Sequence, residues 1–216
     1  PDPQTQQRSL ELLGHLRRQA AQKNGQEAVF AHNVTAIYDN MGMGLLRKGD
    51  ASGAIASFQR ALALIPGREQ AMLGLSQALT LRGIQLGEQG QDELAATAYA
   101  RALEHDPTST TAHVNLGWLR YRHGHWEEAI AHYTAALSSG PNIQAEFNLG
   151  LVYLAKGDGE AARSAYARAI DQFGAAAGEQ IGAAEDLRLL IAGGQAGPAA
   201  GQILRTYWPE VKEGGE

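Results

Sequence analysis

The side chains with the most chemical potential in this sequence are four histidines. His123, His125 and His132 gather around one turn, and His113 stands on the helix before it. Two or three imidazoles in one place suit zinc or nickel. No carboxylate falls at a matching ligand spacing, and the His-Glu-x-x-His pattern is absent. Metal binding by His123, His125 and His132 therefore stays open, and no residue is assigned as a ligand. Gly42-Met43-Gly44 imitates part of a phosphate-binding loop, but no strand precedes it, so the glycines are expected to serve helix packing. Serine, histidine and acidic residues occur without any nucleophile motif. Cysteine is absent, which removes thiol catalysis, disulfides and thiolate metal sites. The expectation is a chain that is not an enzyme and uses no cofactor.

The composition points the same way. The chain has 216 residues, 44% hydrophobic and 19% charged, ample for a core. Glycine and alanine are abundant and aromatics make up only 6%, as in helices whose backbones approach closely. The net charge of −5 is spread along the chain, with no basic face for nucleic acid. No apolar run is long enough to span a bilayer, so direct membrane insertion is not expected. The compartment is left open, with a bacterial-type cytoplasm or periplasm equally compatible. Pro1 in place of methionine fits a fragment, a processed product or a chain cleaved from a tag, with any signal or anchor removed.

The elements that would position a site follow from an internal register. A small glycine recurs as Gly42, Gly83, Gly117 and Gly150, with steps of 41, 34 and 33 residues. The same steps relate the turn glycines Gly49, Gly90, Gly124 and Gly157. They relate Ala54, Ala95, Ala129 and Ala162, and the aromatics Phe58, Tyr99, Tyr133 and Tyr166. They relate Ala61, Ala102, Ala136 and Ala169, and a closing Pro66, Pro107 and Pro141, with Gly174 in the fourth place. Six positions in one register across four copies define a helix–turn–helix repeat.

This pattern resembles the tetratricopeptide repeat, a unit of about 34 residues. The resemblance covers residues 26–174 and implies an all-α, right-handed α-solenoid of four repeats with capping helices at both ends. The expected division is 1–25 as lead and N-terminal cap, 26–67 and 68–107 as two repeats with extended first helices, 108–141 and 142–174 as two ordinary repeats, 175–208 as C-terminal capping helices, and 209–216 as a polar tail. Within this plan one helix is expected over 5–23 and another over 178–192, the latter with Ile181, Ala184, Leu187, Leu190 and Ile191 on one face. Asp92 and Asp158 stand where a carboxylate caps a helix.

The resemblance also implies a site. In tetratricopeptide proteins the first helix of each repeat lines a concave groove. Carried over, that places Asp39, Asn40, Met43, Leu46 and Arg47 in the groove from the first repeat, and Gln77, Thr80, Leu81 and Ile84 from the second. The third contributes Thr111, Val114, Asn115, Trp118, Tyr121 and Arg122, and the fourth Gln144, Phe147, Asn148, Leu151 and Leu154. Asn40, Asn115 and Asn148 share one position, two residues before the small glycine, where family members use the amide to grip an extended peptide. Leu81 interrupts that row. Met43, Ile84, Trp118, Tyr121, Phe147 and Leu151 would form an apolar floor. The lysines and arginines with which some relatives clamp a chaperone's C-terminal carboxylate are largely missing, since Asp39, Thr80, Val114 and Phe147 hold those places. The function implied is a non-catalytic module that binds an extended peptide or amphipathic helix of another protein. The alternatives are a self-associating scaffold, hence a homo-oligomer, or a membrane-anchored assembly factor.

Overall fold

The four repeat turns are one structure built four times. Gly49, Gly90, Gly124 and Gly157 all adopt left-handed backbone, with φ of +76°, +71°, +77° and +88°. At each, the glycine N–H and the next residue's N–H bond back to the end of the preceding helix, as in Gly49 to Leu46 O and Asp50 to Leu45 O. This 5→2 and 6→1 pair ends a helix cleanly and needs a residue without a Cβ penalty at positive φ. The following helix is capped by Asp50 on Gly53 N at 2.9 Å and by Asp158 on Ala161 N at 3.0 Å. Asn142 does the same for Ala145 N at 2.9 Å at the start of the fourth repeat. Asp92 is instead the first helical residue, after a Gln91 N-cap with no side-chain bond.

The computed structural model describes residues 8–9, 11–16, 27–194 and 197–209, and the described residues contain helices and no strands. In order these are α1 (11–16), α2 (Glu27–Arg47), α3 (Ala51–Leu64), α4 (Glu69–Glu88), α5 (Asp92–His105), α6 (Thr110–Arg122), α7 (Trp126–Ser138), α8 (Ile143–Lys156), α9 (Gly159–Phe173), α10 (Ala175–Gln180), α11 (Ala183–Ala192) and α12 (Pro198–Tyr207). The rest of the helix expected over 5–23 lies outside the described residues, as does most of the tail. The long intervals in the first two repeats lengthen their first helices: α2 and α4 have 21 and 20 residues, α6 and α8 only 13 and 14.

The chain divides into two compact units, Pro1–Ser109 and Thr110–Glu216. Each is an all-α stack of helix hairpins. Within each hairpin the small glycine of the first helix meets the aromatic ring of the second. A Cβ at Gly42 would lie 2.6 Å from Phe58, at Gly83 2.4 Å from Tyr99, at Gly117 3.1 Å from Tyr133, and at Gly150 2.6 Å from Tyr166. The ring thus occupies the space a side chain would take, and the helices approach over it. The recurring alanines, Ala54 through Ala162 and Ala61 through Ala169, are wholly buried beside these rings. In the first unit Phe58 also packs on Gly74 of α4, so one ring joins two successive hairpins.

The second unit ends differently. α11 packs on α8, and α12 on α9 and α11. Leu187, Leu190, Ala200, Ile203 and Trp208 join Phe147, Leu151, Leu154 and Tyr166 in one core cluster. The Trp208 indole N–H donates to Ala175 O at 2.9 Å, which satisfies the ring's polar edge inside the core. The single helix expected over 178–192 is broken at Gly182, which has φ +87°. Ile181 therefore sits at a turn, 38% exposed, and Ile191 is 39% exposed, while Ala184, Leu187 and Leu190 are buried.

Candidate functional site

In the second unit a cavity of about 300 Å³ opens between α6, α8 and the α10–α11 turn. Val114, Asn115 and Trp118 come from α6, where the i, i+1, i+4 spacing turns all three toward one side. Gln144 and Asn148, also four apart, come from α8. Ile181, Ala183 and Asp186 close the remaining wall from the turn and from α11. The break at Gly182 is what lets Ile181 and Asp186 reach the same space from two directions.

The polar character of this wall is specific. Asn115 Nδ2 donates one hydrogen to Thr111 O at 2.9 Å within its own helix, which leaves its second N–H and Oδ1 for other partners. Burial, and secondarily Glu185, holds the Asp186 carboxyl above the ordinary carboxylate range. Burial also pushes the Tyr121 phenol up, with the Asp186 charge adding to it. Tyr133 and Tyr166 are shifted upward far more, mainly by burial and with Asp186 again contributing. Trp118 is 36% exposed, and its ring lies 5.3 Å from Tyr121, which in turn lies 5.6 Å from Trp126.

Of the residues expected to line a groove, the cavity brings together Asn115, Trp118 and Asn148, with Val114 and Gln144 beside them. Tyr121 is partly buried beneath Trp118, and Arg122 is exposed at the end of α6. Phe147 and Leu151, expected on an open floor, are instead core residues with 2% and 3% exposure. The reason is the C-terminal segment: Trp208 lies 6.1 Å from Phe147 and edge-on to Tyr166, so these apolar groups are covered by chain. Asn40, Met43, Arg47 and Ile84 belong to the first unit; Asn40 and Arg47 are exposed, Met43 and Ile84 half-buried. There Asp39 is 1% exposed and ion-paired with Arg68, and the Thr80 hydroxyl donates to Ser76 O, so neither faces a groove.

A second cavity, of about 640 Å³ and mostly apolar, lies in the first unit. Leu13, Phe30, Val34, Tyr38 and Leu64 line it, with the Arg60 guanidinium 5.8 Å from the Tyr38 ring. None of the expected site residues faces it. The histidines do not form one group. His113 and His132 meet at 3.1 Å through their Nδ1 atoms, whereas His125 lies 3.7 Å from Glu128. Among the described residues no three histidine, cysteine, aspartate or glutamate side chains converge as metal ligands. No described helix is long and apolar enough to cross a membrane.

Ile181, Ala183 and Asp186 are the residues that sequence reasoning missed. They lie beyond the repeat, so no register points to them.

Repeated glycine-and-aromatic helix hairpins define a helical repeat protein. The profile of the tetratricopeptide repeat family matches residues 40–109, 80–142 and 114–178, together more than half of the chain. The chain belongs to the tetratricopeptide repeat family. Its fold is similar to that of MamA, at 23% identity and a TM-score of 0.51, covering 77% of this chain and 92% of that one. YrrB, described as a TPR protein with an unusual peptide-binding site, is similar at 23% identity and a TM-score of 0.43, covering 62% of this chain and 84% of that one. The O-GlcNAc transferase of Thermobaculum terrenum (a K341M mutant) is similar at 23% identity and a TM-score of 0.45, covering 66% of this chain and 27% of that one. No curated protein sequence gives a significant match. The family's fold supports protein–protein interaction.

Proposed function

We propose that this chain is a non-catalytic protein-binding module, and that the α6–α8–α11 cavity receives a segment of a partner protein. The observation that supports the reading is the convergence of Asn115 and Asn148 with Trp118. Two asparagines at equivalent positions of successive repeats face one cavity beside a half-exposed indole. Amides spaced by one repeat offer hydrogen bonds to an extended backbone, and an accessible tryptophan supplies the apolar anchor. The cavity's polar groups are side-chain amides and one carboxylate, which suit hydrogen bonding to a bound segment.

The test is selection from a displayed library of random peptides on the full chain, repeated on a Trp118→Ala/Asn148→Ala variant whose fold is verified by circular dichroism. The expected result is a peptide family retained by the first and lost by the second. Peptides held equally by both would overturn the assignment of the cavity. A mass that rises with concentration in light scattering, unaffected by the cavity variant, would favour the self-associating scaffold instead.

A further inference from the structure

The cavity has one charged side chain, Asp186, in the first turn of α11. Asp186 is a half-buried carboxylate in its wall, and among the described residues no lysine, arginine or histidine lies within ion-pair distance of it. The neighbouring Glu185 has its own partner, Arg188 at 3.4 Å, on the same helix. Among the described residues no basic side chain lines the cavity. Its other polar groups are the side-chain amides of Asn115, Gln144 and Asn148. Trp118 lines the same cavity, and an indole ring attracts cations to its face. A volume of about 300 Å³ is at the small end of ligand sites, the size for one long side chain rather than a folded element.

We infer that the cavity between Trp118 and Asp186 takes up the basic side chain, lysine or arginine, of the bound segment. The inference rests on the reading of this cavity as the protein-binding site, and it sets the class of partner: a segment with a basic anchor, opposite in sign to the carboxylate-terminated peptides that a lysine and arginine clamp selects. A bound cation restores to Asp186 the counter-charge that its environment withholds, which is also the direction in which its raised carboxyl would be relieved. The apolar stem of the basic residue lies against Ile181 and Val114, and its head reaches the carboxylate and the amide oxygens.

The experiment uses peptides selected on the full chain, resynthesised with the shared basic residue intact or replaced by glutamine, and titrated against the wild type, Asp186→Asn and Trp118→Ala. Asp186→Asn keeps the shape and removes only the charge. The expected result is a lysine or arginine at one fixed position of the selected peptides. Removing either that residue or the Asp186 charge should weaken binding roughly tenfold to hundredfold, and removing both should cost little more than removing one. Selected peptides without a common basic residue, or full additivity of the two changes, would overturn the inference. If Trp118→Ala still abolishes binding in that case, the protein-binding reading stands by itself. A selection that enriches no peptide overturns both.

Discussion

Asp39 and Arg68 form the buried ion pair of the first unit: Arg68 Nε donates to Asp39 Oδ2 at 2.6 Å, with Asp39 only 1% exposed. The two residues are 29 apart and tie the loop before α4 to the middle of α2. Asp39 Oδ1 has no partner of its own among the described residues, so the guanidinium is the main compensation for this charge. Arg68→Met should therefore destabilise the first unit by about 3–5 kcal/mol, because it strands a buried carboxylate. The double variant Asp39→Leu/Arg68→Met should recover most of that loss. Urea denaturation of the three proteins checks both statements. A single variant as stable as wild type would show that Asp39 reaches water.

Two glycines on α4 should respond with opposite signs to the same change. A methyl at Gly83 would lie 2.4 Å from the Tyr99 ring, whereas nothing lies within 4 Å of one at Gly87. Gly83→Ala should cost about 1–3 kcal/mol through overpacking. Gly87→Ala should stabilise by about 0.5–1 kcal/mol through the helix term alone. Denaturation midpoints measured side by side distinguish the two, and equal shifts would refute the close approach at Gly83.

Acid should loosen the α6–α7 hairpin through His132. Burial, then His113 and then Arg120, hold the His132 imidazole below its ordinary value, with Glu128 opposing them. The folded state thus binds its proton less readily than the unfolded chain does. The associated stability is present above the unfolded value, near 6.5, and is lost as pH falls below it. Thermal unfolding of the wild type should show a midpoint that drops between pH 7.5 and 5.5, and His132→Gln should show a smaller drop. Equal pH dependence in the two proteins would remove His132 as the cause.

Trp208 should matter for the second unit out of proportion to its place near the end of the chain. It is 6% exposed, packs against Phe147 and Tyr166, and fits over Gly178, where a Cβ would lie 2.8 Å from its ring. Trp208→Ala should cost about 3–5 kcal/mol and lose near-ultraviolet circular dichroism from the Phe147–Tyr166 cluster. Trp208→Phe should recover most of the packing but not the bond to Ala175 O.

The fold was legible in the sequence because its determinants are short-range pairs repeated at a fixed step. The turn glycine and the glycine–aromatic contact, such as Gly150 with Tyr166, recur without needing knowledge of the rest of the chain. The site was legible only where it uses those repeats. Asn115, Trp118 and Asn148 could be placed by register. Asp186 could not, because it reaches the cavity through a helix that has no counterpart in any repeat, after a break at Gly182 that the apolar periodicity of 178–192 conceals. Phe147 and Leu151 were misplaced for the same reason: nothing in the register foretells that Trp208 folds back over them.

The cover that α11, α12 and Trp208 place on α8 and α9 also decides how this stack can grow. A helical repeat array is a polymer whose newest face stays adhesive until something occupies it. Here the face that a further hairpin would use is filled by Leu187, Ile203 and Trp208. Head-to-tail joining of copies needs both ends free, and one blocked end is enough to stop a filament. A second copy could dock on that face only by displacing Leu187, Ile203 and Trp208, so a column built there would first have to unpack this unit's own core.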